Sequence, residues 1–220
     1  EKLKKVLTYL VSFAAGALFG DAFLHLLPQI IEERGFTLNI SYFILSGIFL
    51  FFLIEKAVHM QHHHMHPDKK STVHSFAIMN LIGDGFHNFL DGLILGASYL
   101  VNIQVGIATT IAIVLHEIPQ EIGDFGVLVH GGFSRKKALF FNLLSAVFAV
   151  LGTFVSLIIS SYLKNIQLFV IPIAIGGFIY IAGSNLIPEL HKEFTIKKTL
   201  LEFATFLLGI LVMAALLLLE

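Results

Sequence analysis

Long apolar runs alternate with short polar segments along this chain. Apolar runs of about 20 residues cross a bilayer as α-helices. The sequence contains seven such runs, and we predict helices at residues 5–31, 38–60, 73–99, 103–130, 136–163, 166–190 and 197–219. No polar segment is long enough to fold alone, the longest being residues 61–72. We therefore predict one all-α, polytopic membrane domain over residues 1–220.

Composition narrows the class of protein further. Hydrophobic residues make up 56% of the chain and charged residues 13%, with a mean hydropathy of +0.86. A water-soluble fold of this size cannot bury so much apolar surface. The absence of cysteine excludes disulfides, thiolate metal sites and catalytic thiols. The net charge is −1, and the basic residues form no sustained basic face, so we expect no nucleic-acid partner.

The basic residues predict the orientation in the membrane, because Lys and Arg in short loops stay cytoplasmic. Of the 14, only Arg34 and Lys164 fall on one side. The other side holds Lys2, Lys4, Lys5, Lys56, Lys69, Lys70, Arg135, Lys136, Lys137, Lys192, Lys197 and Lys198. We therefore expect a cell-membrane protein in which the N-terminal end of this chain is cytoplasmic and the C-terminus is extracytoplasmic. Since the chain begins at Glu1, we also expect a segment upstream.

Two of the apolar runs contain polar motifs. The third run reads G-D-G-F-H-N-F-L-D-G from Gly83, and its spacing puts four polar side chains on one helical face: Asp84, His87, Asn88 and Asp91. The fourth run reads H-E-I-P-Q-E-I-G-D, and its polar side chains are His116, Glu117, Gln120, Glu121 and Asp124. Pro119 removes a backbone hydrogen bond there, which membrane helices tolerate mainly beside a cavity or ligand.

Both motifs lie at the same predicted depth. His87 is 13 residues past His74, and His116 is 13 past Ile103, which is about 20 Å of helix in each case. Imidazole, carboxylate and amide groups that meet in a dry place suit a divalent cation, zinc first, with Fe²⁺, Mn²⁺, Co²⁺ and Cd²⁺ as alternatives. The simpler interpretation is that these groups only hydrogen-bond to one another, but they are more numerous than helix packing needs.

At these residues the sequence resembles the ZIP (Zrt/Irt-like) family of divalent-metal transporters. HNFLDG at 87–92 is similar to H-N-x-x-D-G in that family's fourth helix. HEIPQEIGD at 116–124 is similar to H-E-x-P-H-E-x-G-D in the fifth helix of one subfamily. GDAFLHLLPQ at 20–29 and GSNLIPELHKE at 183–193 resemble parts of the second and seventh helices.

The resemblance implies eight helices, of which this chain would carry the second to the eighth. It implies zinc transport into the cytoplasm by an elevator-like form of alternating access, and a homodimer. Metal ligation falls on His87, Asn88, Asp91, His116, Glu117 and Gln120. Gln120 replaces the subfamily's His, and residues 138–163 contain no acid. We therefore expect one well-held ion and at most a weakly held second.

Other polar residues are candidates for the ion's path. Asp21 and His25 are an i, i+4 pair that we interpret as a relay. We expect Asp84, Glu121 and Asp124 to line the path or to orient ligands, and Glu189 and His191 to lie at the cytoplasmic exit. The loop at 61–72 has two interpretations, loose capture of metal ions or a solvated linker. The residues that would capture the metal are His62, His63, His64 and His66.

Two rival functions stay open. His116 and Glu117 begin the H-E-x-x-H motif of zinc proteases, but Gln120 stands where the second His is needed. A metal-gated channel would share every ligand with a carrier, and only flux kinetics would separate the two.

Small residues at four-residue spacing mark faces where helices can approach closely. Gly16 with Gly20 and Gly92 with Gly96 have that spacing. We predict close helix contacts at both pairs.

Overall fold

The computed structural model describes residues 2–65, 73–101, 103–159, 163–191 and 195–217, and every regular element among them is helical. This confirms the all-α prediction. The helices are α1 (Lys2–Gly20), α2 (Leu27–Arg34), α3 (Leu38–Met65), α4 (Ser75–Val101), α5 (Ile103–His130), α6 (Arg135–Ile158), α7 (Leu163–Tyr180), α8 (Ile187–Leu190) and α9 (Ile196–Leu216).

The loop predicted at 61–72 begins later in the structure than the sequence indicated. Helix α3 continues to Met65, so residues 61–65 are helical in backbone. Nothing in those residues breaks a helix, because the first proline after them is Pro67. Residues 66–72 lie outside the described part of the chain.

Five helical stretches are long and apolar enough to cross a membrane: Val6–Glu32, Leu38–Val58, Arg135–Ile158, Leu168–Leu190 and Ile196–Leu216. Helices α4 and α5, with 27 and 28 residues, also have the length but carry the acidic motifs. The total of seven spans therefore stays a prediction.

The bundle is apolar outside and partly polar inside. On α6, Leu143 is 69% exposed and Phe154 61%, whereas His87 and Asn88 in the interior are 3% exposed. Water would penalise such an outer surface and lipid does not. The distribution of side chains thus fits a helix bundle in a bilayer.

Three pairs of helices meet backbone to backbone at glycines. A Cβ built on Gly16 of α1 would overlap the carbonyl oxygen of Phe206 on α9, and one on Gly92 of α4 that of Ala149 on α6. Helices α3 and α7 meet in the same way at Gly47 and the carbonyl oxygen of Ile173. The predicted close contacts at the two glycine pairs, Gly16 with Gly20 and Gly92 with Gly96, are confirmed.

Two spans contain a π-helical turn that the sequence analysis did not foresee. Residues Asp21–Leu26 join α1 to α2, and Ile181–Leu186 join α7 to α8. In both, the residue before a proline donates its N–H five residues back, Leu27 to Ala22 and Ile187 to Ala182. Such turns hold one extra residue and are frequent at functional sites.

Helices α4 and α5 are antiparallel neighbours. The backbone N–H of His74, just before α4, donates to the carbonyl of Gly131, just after α5, over 2.8 Å. The first turn of α4 therefore lies beside the last turn of α5. His87 and Glu117, each near the middle of its helix, can meet halfway along the bundle.

Candidate metal centre

His87 is the central side chain of the site. It comes from the middle of α4, is 3% exposed, and its ring packs edge-on against Phe178 of α7 with 5.2 Å between centroids. The burial of Asp84, Asn88 and Asp91 beside it confirms that these four residues share an inward face. Packing on several sides limits the rotamers open to the imidazole.

Carboxylates from two helices surround one nitrogen of that ring. The Nε2 atom of His87 lies 3.3 Å from Oε1 of Glu117 on α5 and 3.7 Å from Oδ2 of Asp91 on α4. One ligand atom from each of the three residues lies within 4.8 Å of the others. One imidazole nitrogen and two carboxylate oxygens are a donor set suited to zinc and related divalent ions.

A second group of carboxylates shares Glu117. Asp84, Glu117 and Glu121 also place one oxygen each within 4.8 Å of one another. Asp84 precedes His87 by about one turn, and Glu121 follows Glu117 by about one turn. Because the helices are antiparallel, both residues lie toward the end of the bundle where α4 begins and α5 ends.

Amide side chains hold two of the acids in place. Asn88 donates to Oδ1 of Asp84 over 2.9 Å, and Asn80 donates to Oδ1 of Asp124 over 2.8 Å. The amide of Asn88 thus orients a neighbouring carboxylate, and its own role as a ligand stays a prediction. Sequence reasoning missed Asn80, although it lies four residues before Asp84 on the same face.

Helix α6 places two neutral polar side chains, Asn142 and Ser145, beside this site. Asn142 donates to the backbone carbonyl of Glu121 over 2.9 Å, and Ser145 donates to that of Asn142 over 2.7 Å. The other amide atom of Asn142, its Oδ1, is buried and has no hydrogen-bond donor among the described residues. These groups lie beside the shared acidic cluster without adding charge to it.

The π-helical turn after α1 brings Asp21 and His25 toward the same centre. Oδ2 of Asp21 lies 3.7 Å from Nδ1 of His87, and its Oδ1 lies 3.7 Å from Nδ1 of His25. Asp21 is 2% exposed. The sequence paired Asp21 with His25 but gave no sign that the carboxylate also approaches His87, because that contact depends on how α1 packs against α4.

A histidine and a carboxylate approach each other near the end of the bundle where α5 finishes. Nε2 of His130 is 3.6 Å from Oε2 of Glu189 on α8, while His191 is exposed. The structure thus brings Glu189 of α8 to His130 of α5. Sequence reasoning missed this contact, because it joins residues on separate helices.

Some predicted residues lie outside what the structure describes. The backbone of His116 is in α5 and those of His62, His63 and His64 are in α3, but their side chains are not described, and His66 is outside the described residues altogether. Gln120 is 5% exposed, and its Nε2 has no hydrogen-bond partner among the described residues.

The chain is similar to known proteins over nearly all of its length. A family model described as "ZIP Zinc transporter" matches residues 2–76 and 72–217. The chain is 31% identical to the zinc transporter zipt-7.2 of Caenorhabditis elegans, over 94% of this chain and 57% of that protein. It is 29% identical to the zinc transporter SLC39A7 of Rattus norvegicus, over 96% of this chain and 64% of that protein.

A third relative, the zinc transporter ZIP13 of Pongo abelii, is 33% identical over 94% of this chain and 66% of its own length. This chain thus spans about three fifths of the length of these two curated relatives, zipt-7.2 and SLC39A7. The family match runs through both polar motifs and nearly every described residue. The chain belongs to the ZIP zinc transporter family.

Proposed function

We propose that this protein carries a divalent metal ion, zinc first, across a membrane into the cytoplasm through the centre formed by α4 and α5. The observation that carries this proposal is the position of His87 Nε2 between Asp91 and Glu117, at 3.7 and 3.3 Å, in the buried middle of both helices. The ion is the cargo, so the site must hold it and then release it.

The burial of so many polar groups supports binding over packing. Buried atoms without a hydrogen-bond donor among the described residues include Oδ2 of Asp84, Oε1 of Glu117 and Oε1 of Glu121. Carboxylate oxygens without a hydrogen-bond partner in an apolar interior carry a high free-energy cost unless a cation binds to them. A cluster that served only to join helices would have its oxygens satisfied by donors.

The order of the polar groups supports a path through the bundle. His25 and Asp21, in the π-helical turn that follows α1, lie on one side of His87. The group that contains Asp84 and Glu121 lies on the other side. By the distribution of Lys and Arg, the second side faces the cytoplasm. The paired Asn80 and Asp124, and then His130 and Glu189, continue toward that side.

Release requires that the site open alternately to the two sides. The ion would exchange its water for the ligands of α4 and α5 from outside and leave inward when these helices shift against the others. Homodimer formation, the cell membrane as location, and transport of Fe²⁺, Mn²⁺, Co²⁺ or Cd²⁺ belong to the same proposal as finer predictions. The protease alternative is dropped, because the family consists of transporters and not of enzymes.

Zinc uptake into proteoliposomes tests the proposal. We expect His87→Ala and Asp91→Ala each to lower uptake by at least about tenfold at equal protein, the lower end of what loss of a supporting residue costs a metal site. Glu55→Gln is a matched control, because Glu55 is a half-buried carboxylate in α3 that accepts a hydrogen bond from Tyr180, away from the site.

Full uptake by both site variants, with normal membrane insertion, would show that the centre is assigned wrongly. Uptake that saturates at modest rates supports a carrier, whereas very fast conduction without saturation would favour a channel.

A further inference from the structure

We infer that Asp21 is a positioning residue that holds His87 in the orientation and tautomer that binds metal through Nε2. This inference rests on the proposed function and deepens it. It adds a third helix, α1 with its π-helical turn, to a centre otherwise built on α4 and α5. Asp21 belongs to neither of the two groups of side chains whose ligand atoms lie within 4.8 Å of one another.

The two nitrogens of His87 face different partners. Nε2 lies among the metal-binding oxygens of Glu117 and Asp91, whereas Nδ1 lies 3.7 Å from Oδ2 of Asp21. An imidazole that binds a metal through one nitrogen commonly donates its other N–H to a carboxylate, which fixes the tautomer and the direction of the ring. Asp21 stands where that carboxylate is needed.

The burial and the hydrogen bonding of Asp21 fit this role. The residue is 2% exposed, and its Oδ2 accepts no hydrogen bond from any described residue. The distance of 3.7 Å is longer than the usual 2.7–3.2 Å of an N–H···O hydrogen bond. Closure by less than about 1 Å, as happens when a site tightens around its ligand, would complete the bond between Nδ1–H and Oδ2.

The local backbone explains why Asp21 can serve. It is the first residue of the π-helical turn, and Pro28 follows within the first turn of α2. The second oxygen of Asp21 faces His25, 3.7 Å away within the same turn. The carboxylate is thus held between two imidazoles, one on its own helix and one on α4.

The test uses Co²⁺ as a spectroscopic substitute for zinc, bound to the purified full chain in detergent. The d–d absorption of Co²⁺ reports the number and kind of its ligands, and titration gives its affinity. We expect Asp21→Ala to weaken Co²⁺ binding by about 10–100-fold, the usual cost of losing a residue that orients a ligand, without changing the absorption spectrum. Asp21→Asn should weaken it less, because its amide oxygen still accepts from Nδ1–H.

A double variant separates positioning from direct ligation. In a His87→Ala background, Asp21→Ala should have no further effect, because residues that act through one another are not additive. An equal loss of affinity with and without His87, an unchanged affinity in Asp21→Ala, or a spectrum changed as in His87→Ala would each overturn the inference. If Asp21→Ala fails to insert, the isosteric Asp21→Asn carries the same comparison.

Failure of the proposed function would look different. In that case the unmodified protein would bind no Co²⁺, or His87→Ala would bind it as tightly and with the same spectrum. Glu55→Gln again serves as the control for loss of a carboxylate within a span, and should leave both affinity and spectrum unchanged.

Discussion

The carboxylate of Glu117 belongs to both candidate groups of metal ligands: it lies 3.3 Å from Nε2 of His87 and within 4.8 Å of the oxygens of Asp84 and Glu121. Glu117→Gln removes one negative charge from both groups while keeping the shape of the side chain. We expect zinc uptake in proteoliposomes to fall by at least about tenfold, which corresponds to about 1.4 kcal/mol of lost binding. Uptake equal to that of Glu55→Gln would contradict a shared role for Glu117.

Replacing Gln120 tests metal preference. Its side chain is 5% exposed on α5, three residues after Glu117. Gln120→His adds a nitrogen donor, which favours zinc more than it favours Mn²⁺. We expect the ratio of zinc to Mn²⁺ uptake in a competition assay to rise on the order of tenfold, about 1.4 kcal/mol. Gln120→Asn, which leaves the donor type unchanged, should not raise the ratio, and an equal rise in both variants would refute the explanation.

The contact of α4 with α6 predicts an effect of glycine substitution on stability. A Cβ on Gly92 would overlap the carbonyl oxygen of Ala149, so Gly92→Ala should cost about 1–3 kcal/mol of unfolding free energy by overpacking. On the same helix, a Cβ on Gly85 would lie 3.7 Å from the Phe148 ring, an ordinary contact. Thermal unfolding in detergent should therefore show a lower melting temperature for Gly92→Ala than for Gly85→Ala; the reverse order would be inconsistent with this packing.

The buried pair of Asn80 and Asp124 gives a further prediction. Asn80→Ala leaves Oδ1 of Asp124 without its donor in a site where both residues are under 8% exposed, and should cost about 1–3 kcal/mol. Because Asp124→Ala removes the acceptor, the double variant should lose less than the sum of the single losses. Unfolding by denaturant measures all three variants. Strict additivity would mean that the hydrogen bond contributes nothing.

Much of this structure could be predicted from the sequence. Apolar runs locate the helices to within a few residues, and the spacing of Asp84, His87, Asn88 and Asp91 predicts the polar face of α4, because helical periodicity is a local property. The family resemblance based on the two motifs is confirmed by the match over nearly the whole chain.

What could not be predicted depends on contacts distant in sequence. Pro28 and Pro188 indicate a disturbed helix, but a proline does not by itself decide whether the chain kinks or shifts to a π-helical turn. The approach of Asp21 to His87 and of His130 to Glu189 depends on how separate helices pack. No periodicity within one helix contains that information.

The pairing of helices predicts which contacts must change during transport. Cysteine pairs can be introduced without interference, because the chain contains none. Ala14→Cys with Gly123→Cys would link α1 to α5, and Gly96→Cys with Ser156→Cys would link α4 to α6. In both pairs the two Cβ positions lie 3.0 Å apart, so the helices must separate by about 0.5–1.5 Å to reach the Cβ separation of a disulfide. We expect oxidation to stop zinc uptake in the first variant and to spare it in the second, with reduction restoring the first. Full uptake by an oxidised α1–α5 link would contradict this division.

The glycine crossings explain that expectation. At Gly16, Gly47 and Gly92 the backbones of two helices are in direct contact, with no layer of side chains between them that could repack. The two helices of such a pair therefore move together as one rigid body. The long helices of the described part of the bundle then form three such pairs, α1 with α9, α3 with α7 and α4 with α6, and α5 is the remaining long helix. The candidate metal centre lies between α5 and the pair of α4 and α6, so we expect these three helices to move as one body against the pairs α1 with α9 and α3 with α7.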